Sequence, residues 1–342
     1  MDEPLVSILT PTYNHEAYIA QAVESVLAQD YPNWEQIVLD DESTDRTPEI
    51  ISRYRDPRVR SFRQKHRGFA GLAETYNDGL RLARGSLIAI LEGDDYWPSG
   101  KLARLVPAFR DPRIVLAYGI TQPVNALNQL WPRTIPSRRL LRPPRREVLF
   151  NDPVGSAVRE MCKPDEGGFT FPCSTLIRRS ALEECGGFVT VEDRHAVDYA
   201  TFMTLATRGR FHFVPEIAGY YRRHLNQANS SRGLEGMLRA DYRFCIRFLR
   251  EQWDRLPQPL PSLDCVRRRW ERLWSAIRLG QGRILLLTRR WAEARAELAR
   301  VFQTPYSAMQ ALGAGIGMAC SLIHRDLEPF YRARRPGTSL PA

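Results

Sequence analysis

Three polar clusters hold the residues that could do chemistry: Pro11-Thr12-Tyr13-Asn14, Asp40-Asp41-Glu42-Ser43 and Glu92-Gly93-Asp94-Asp95. Each follows a short apolar run. Carboxylates 40, 41, 42, 94 and 95, brought to one edge of a fold, repel one another unless a cation or hydrogen-bond donors lie among them. A divalent metal meets that need, and carboxylate oxygens select hard ions such as Mg2+ or Mn2+. The competing reading is that these acids cap the helices that follow. It carries more weight for Asp40-Asp41 than for Asp94-Asp95, where one carboxylate would suffice as a cap.

The surrounding pattern says what must position them. Leu5 to Thr10 reads as a strand, and Asn14 can cap a helix with Ile19, Ala22, Val23, Val26 and Leu27 on its inner face. Trp34 to Leu39 is a second strand, Pro48 opens a second helix, and Arg58 to Phe62 is a short strand. Leu72 to Ala83 is helical up to Gly85, and Ser86 to Leu91 is a buried strand. A helix at 99–110 and a strand at 114–118 follow. Alternating strands and helices predict an α/β fold with a mostly parallel sheet flanked by helices, whose ligands sit beyond the carboxyl ends of the strands. All three clusters fall at such ends.

From 120 to 170 periodicity fades into a long, irregular segment with prolines and a basic cluster at 138–146. Strands at 174–177 and 211–214 and helices from Ser180 and near 197–207 return after it. The remainder is helical and basic: residues 231–300 hold 16 Arg against 8 acids. Residues 307–323 are uncharged and rich in Gly and Ala, which predicts a buried or interfacial helix rather than a membrane span.

Two common nucleotide folds are disfavoured. The first turn, T-P-T-Y-N-H-E, has none of the glycines of G-x-G-x-x-G, and no G-x-x-x-x-G-K-[ST] is present. Tyr13 could still pack on a base, and Asp41 could accept an N–H from one. The 342 residues carry a formal net charge of +10, with 43% hydrophobic and 26% charged residues, an ordinary globular composition that suits an acidic partner. Six scattered cysteines without zinc spacing predict reduced core thiols. The opening MDEPLVSILTP has neither a basic nor an apolar leader region, so a cytoplasmic protein is expected and the Asn229-Ser230-Ser231 sequon carries no meaning.

V-S-I-L-T-P-T-Y-N at 6–14, Q-x-Y at 29–31, V-L-D-D-E-S-T-D-R-T at 38–47, L-E-G-D-D-Y-W at 91–97, I-R-R-S-A-L at 177–182 and G-G-F at 186–188 resemble family 2 glycosyltransferases in order and spacing, over residues 4–228. The resemblance implies a Rossmann-like nucleotide-diphospho-sugar transferase fold of the A type and an inverting single displacement. It implies that Pro11, Tyr13 and Asp41 contact the nucleoside, that Asp94 contacts the donor's ribose or sugar, and that Asp95 holds Mn2+ or Mg2+ between the phosphates. Glu92 stands where the family often has Asp and is left out of the metal shell. The second acid motif matches best at Asp198, although Val197 replaces the usual preceding Glu; Glu192-Asp193 is the rival pair. Tyr220 to His224 resembles the loop that closes over donor phosphates, with a solvated His224 as the plain alternative.

Asp198 is then the expected general base and Asp95 the anchor of a Lewis acid. Residues 1–232 are expected as the catalytic domain. Residues 233–342 are expected as a helical C-terminal extension that meets a membrane surface or a partner. The expected partners are a nucleotide-diphospho-sugar donor and a saccharide or lipid-linked acceptor, in cell-surface polysaccharide or glycolipid synthesis at the inner face of the membrane, without nucleic acid. The rivals are a sugar nucleotidyltransferase, disfavoured by the absence of a glycine-rich basic first loop, and a non-catalytic sugar- or membrane-surface-binding protein on a decayed transferase fold.

Overall fold

A computed structural model describes residues 3–132, 134–136, 145–163, 169–189, 197–224, 231–303 and 308–324. Two compact units result: residues 1–162 with 166–261, and residues 163–165 with 262–342.

The first unit is built on one seven-stranded sheet: β1 (Val6–Thr12), β2 (Trp34–Asp40), β3 (Val59–Arg63), β4 (Leu87–Ile90), β5 (Ile114–Asn125), β6 (Thr175–Arg178) and β7 (Arg210–Arg223). The spatial order is β3-β2-β1-β4-β6-β5-β7. β1 pairs in parallel with β2 and β4, β2 with β3, and β5 with β7, while β6 runs antiparallel to both neighbours. Every residue of β1 and β4 is buried, as expected for central strands covered on both faces. The core under them joins Ile8 and Leu87 to Val23 and Val26 of helix α1 (Ile19–Leu27), to Trp97, and to Leu102 of a later helix. The register pairs Thr12 with Asp40 and Leu9 with both Ile37 and Ile90. The ends of β1, β2 and β4, and the three polar clusters beyond them, therefore share one edge.

The remaining helices of this unit are α2 (Thr47–Ile51), α3 (Leu72–Leu82), α4 (Lys101–Leu105), α5 (Arg146–Phe150), α6 (Val158–Met161), α7 (Arg179–Glu184), α8 (Val197–Leu205) and α9 (Ser231–Gln252). The expected boundary at 232/233 falls at the start of α9, which belongs to the first unit. Two strands outgrow their sequence signals. β5 continues through Pro123 to Asn125 because β7 pairs with it out to Asn125–Arg223, and the chain then folds back so that Thr121 bridges Ile135 and Val124 bridges Leu130. Such long-range pairing leaves no local periodicity. Asn14 is not a helix cap: α1 begins after a turn in which His15 O accepts from Tyr18 and Ile19.

The second unit holds α10 (Leu263–Leu287), α11 (Trp291–Ala299) and α12 (Ala308–Leu322) around Leu279, Leu286, Leu298, Val301 and Ala314. A Cβ at Gly317 would lie 2.8 Å from Leu298 Cδ1, so the small residues of α12 serve close packing inside this unit. Its other face exposes Met309, Leu312 and Ile316. Among the described residues no helix is long and apolar enough to cross a membrane. None of the six cysteines forms a disulfide, and four are buried.

Candidate active site

The loop after β1 is locked to the loop after β2 by short polar contacts. Asn14 N donates to Ser43 Oγ at 2.9 Å, Thr44 N to Asn14 Oδ1 at 2.8 Å, His15 N to Thr47 Oγ1 at 2.9 Å and Glu16 N to Asp45 Oδ2 at 2.9 Å. Asn14 takes φ 53° to make this turn. Pro11 stays buried in the strand end, where its carbonyl accepts from Gly93 at 3.0 Å. Tyr13 swings outward, 39% exposed, and lies against the His66 ring with centroids 4.3 Å apart.

Asp41 explains why His66 is there. Its Oδ1 accepts from Gln64 Nε2 at 2.9 Å and Arg67 N at 3.0 Å; its Oδ2 accepts from Gly68 N at 2.9 Å and lies 2.9 Å from His66 Nδ1. Those contacts use most of a carboxylate's acceptor capacity. Asp41 is neither a helix cap nor a free acceptor: it moulds residues 64–68 into the wall opposite Tyr13. Asp40 Oδ1 accepts from Ser43 N at 3.2 Å, and Arg63 Nε stands 3.8 Å from its Oδ2.

Beyond β4 the three acids part company. Glu92 Oε1 accepts from Tyr76 Oη of α3 at 2.6 Å, while its buried Oε2 has no partner. Burial first, and then the Asp94 charge, push Glu92 up to about 7 against the pull of the Tyr76 bond. Asp95 Oδ1 accepts from Arg222 N at 2.8 Å. Burial, with Asp94 and Glu92 beside it, lifts the Asp95 carboxyl well above the ordinary range, although bonds from Arg222 N and the Cys173 thiol oppose this. Asp94 goes the other way: burial opposes its ionisation, but His15 and a hydrogen bond from His224 overcome it and hold its carboxyl low. The mutual repulsion expected from the sequence therefore adds to burial in disfavouring the ionised forms of Glu92 and Asp95.

His224 Nε2 lies 2.9 Å from Asp94 Oδ2, and His15 Nε2 lies 4.0 Å from the same oxygen. Ligand atoms of His15, Asp94 and His224 all lie within 4.8 Å of one another. Burial depresses His15, against the opposing pull of the Asp94 charge. Gly93 makes the trio possible, because a Cβ there would stand 2.8 Å from His15 Nδ1 and 2.5 Å from Thr12 Oγ1. Two imidazoles and one carboxylate form a mixed nitrogen–oxygen set, which disfavours Mg2+, a near-exclusive oxygen binder, and admits a first-row transition-metal dication, Mn2+ among them. The sequence reading assigned the metal to Asp95. The geometry offers Asp94, because Asp95 is turned into the wall by Arg222 and Cys173. His224, on the plain reading a solvated loop residue, has a side chain only 6% exposed.

Arg222 ties the acid loop to β7. Nε donates to Asp94 O at 2.7 Å and Nη2 to Gln21 Oε1 at 2.7 Å, and the guanidinium lies over Tyr18 and Tyr96. Tyr220 and Tyr96 exchange backbone hydrogen bonds and stack at 4.5 Å. Residues 220–223 are therefore strand, not a free closing loop. Beneath them Lys101 is buried with Nζ on Cys173 O at 2.7 Å and over the Trp97 ring at 3.5 Å.

Asp198 opens α8, half-buried, with the backbone N–H of Tyr199 and its own directed at its carboxylate; burial nonetheless raises it. Its charge acts on Tyr76 and Glu92, which puts it beside the acid loop. Asp241 of α9 lies buried behind it with Oδ1 unpartnered, lifted by burial and then by the Asp198 charge. The rival pair Glu192-Asp193 lies outside the described residues. Sequence reasoning missed His15, His66 and Tyr76, and met Arg222 only as part of the segment 220–224. Of the three missed, only His15, next to the first polar cluster, carried a local signal.

The family model described as Glycosyl transferase family 2 matches residues 7–186. The chain is 36% identical over 125 residues to the UDP-Glc:alpha-D-GlcNAc-diphosphoundecaprenol beta-1,3-glucosyltransferase WfgD of Escherichia coli, covering 36% of this chain and 49% of that one. It is 36% identical over 114 residues to the enzyme of the same description, WfaP, from the same species, covering 33% and 45%. The chain spans less than half the length of either relative. In three dimensions it resembles S. aureus TarS 1-349, with a TM-score of 0.52 at 18% identity over 96% of this chain and 92% of that one. It also resembles the mannosyltransferase PcManGT from Pyrobaculum calidifontis in complex with GDP-Man and Mn2+, with a TM-score of 0.50 at 20% identity over 97% and 84%. At those identities the likeness is one of fold.

Proposed function

Because this chain belongs to glycosyl transferase family 2, we propose that it moves a sugar from a nucleoside-diphosphate donor to a lipid-linked saccharide by a metal-assisted, inverting displacement. The observation that carries this reading is the ionised Asp94 between His15 and His224, on the same edge as the Tyr13–His66 wall. In this reading the nucleobase lies against Tyr13 and His66, and Asp41 acts by holding residues 64–68. Pro11 acts through its carbonyl, which fixes Gly93. The diphosphate points to the trio. Mn2+ bound there would neutralise charge on the departing diphosphate as a Lewis acid.

The chain's own residues supply the rest. Asp198, whose charge acts on Tyr76 and Glu92, takes the proton of the attacking hydroxyl. Burial suits it to that task by raising its basicity. Attack from the face opposite the leaving group inverts the anomeric centre. In this reading Tyr76 and Glu92, joined by a hydrogen bond, form part of the floor beneath the sugar. Asp94 has no part in the proton transfer.

Acceptors of the diphosphoundecaprenol class, named for the Escherichia coli relatives, support a lipid-linked acceptor in cell-surface polysaccharide or glycolipid synthesis. A lipid-linked acceptor in turn puts the work at a membrane surface. The arginine excess and the exposed face of α12 suit the second unit to an anionic surface. Titration calorimetry of UDP and GDP with and without Mn2+ tests the reading. We expect one nucleotide to bind, and to bind at least about tenfold tighter with the metal. A nucleotide affinity indifferent to Mn2+ would remove the metal from the site.

A further inference from the structure

The hairpin that extends β5 ends in an apolar tip for which donor chemistry has no use. Leu127, Leu130 and Trp131 are 76, 65 and 41% exposed. The backbone beneath them is held. Asn125 Oδ1 accepts from the amides of Leu127 and Gln129 at 2.9 Å each, and Trp131 N donates to Pro123 O at 2.9 Å. The tip is also tied to the site: Arg222 donates through Nη1 to Asn128 Oδ1 and through Nε to Asp94 O, and Arg223 lays its guanidinium 4.6 Å over the Trp131 ring.

We propose that this tip inserts into the interfacial layer of an anionic lipid bilayer and seats the trio at the membrane surface. The proposal rests on the reading of the acceptor as lipid-linked, for a soluble acceptor needs no such seat. Large apolar side chains on a pre-ordered turn enter a bilayer without a further cost of ordering it, and tryptophan favours the headgroup boundary. Arg223 supplies the positive charge that anionic headgroups attract. A saccharide stacked on Trp131 is the competing occupant. It would meet a ring already covered on one side by Arg223, and it would leave both leucines without a role.

The test uses the full chain with Leu127→Cys carrying an environment-sensitive fluorophore, in a background where the two half-buried thiols are removed by Cys185→Ser and Cys265→Ser. Phosphatidylglycerol vesicles should shift the emission to the blue, and phosphatidylcholine vesicles should do so far less. The triple variant Leu127→Ser, Leu130→Ser, Trp131→Ser should weaken phosphatidylglycerol binding by about tenfold or more and leave nucleotide affinity unchanged. A fluorophore that stays in water while the protein sediments with vesicles would assign docking to the second unit alone and overturn the proposal. So would a Trp131→Ala variant altered only in its KM for a soluble saccharide acceptor. A tip that inserts in a chain that transfers only to soluble acceptors would instead sink the lipid-linked reading and leave the docking intact.

Discussion

Arg222 Nε donates to the carbonyl of Asp94 at 2.7 Å, so the acid loop is held from the edge strand β7 and not from its own neighbour in sequence. Arg222→Ala strands the carbonyl of buried Asp94 and removes the bonds to half-buried Gln21 and exposed Asn128. It should cost roughly 3 kcal/mol of stability, at the upper end for losing bonds to a charged group, read by urea unfolding. Arg222→Lys keeps the charge but not the fork, and should recover only part of the loss.

The metal assignment separates two adjacent acids. Asp94→Asn and His224→Ala should each abolish Mn2+-stimulated nucleotide binding. Asp95→Asn keeps an oxygen for Arg222 N and should retain Mn2+ binding. EDTA should stop transfer, and Mn2+ should restore it better than Mg2+. The opposite pattern at 94 and 95 in calorimetry would return the metal to Asp95.

Asp41 should matter through the loop it holds. Asp41→Ala removes the anchor of Gln64, Arg67 and Gly68 and frees His66 from Tyr13. The nucleotide dissociation constant should rise by about tenfold or more, and His66→Ala should reproduce part of that rise. Equal affinity in all three proteins would leave the Tyr13–His66 wall without a ligand.

Asp198 should govern turnover and its pH profile. Asp198→Asn should lower kcat by at least about a hundredfold and leave nucleotide affinity nearly unchanged. The base works deprotonated, and burial raises its carboxyl above the ordinary 3.8. Activity should therefore fall, as pH drops, on a limb that lies above pH 3.8 and is absent from the variant. The stability sign is opposite. The unfolded chain ionises Asp198 from about 3.8 upward while the fold resists, so the carboxyl costs stability above that pH. Asp198→Asn should then unfold at higher urea than the wild type at pH 7. An inactive variant without that gain would mark Asp198 as a structural residue.

The parallel half of the sheet was legible because its signals are local. Buried β-branched runs, each followed by polar residues and a helix, can lie only one way in an α/β sheet. Those signals placed the strand ends at Thr10, Leu39 and Leu91, close to the Thr12, Asp40 and Ile90 of the structure, and with them Tyr13, Asp41 and Asp94 on one edge. The extension of β5 and β7, helices α5 and α6, and the membership of α9 in the first unit depend on partners distant in sequence.

What the sequence determined by itself is therefore the fold class, the family and the set of residues available to the site. What only the tertiary structure decided is which atom of that set faces which. Asp94 and Asp95 are neighbours with the same chemistry, yet the β7 backbone at Arg222 claims Asp95 while His15 and His224, 209 positions apart, converge on Asp94. Contacts across the fold decide which partners each carboxylate receives, and no spacing rule along the chain encodes that choice.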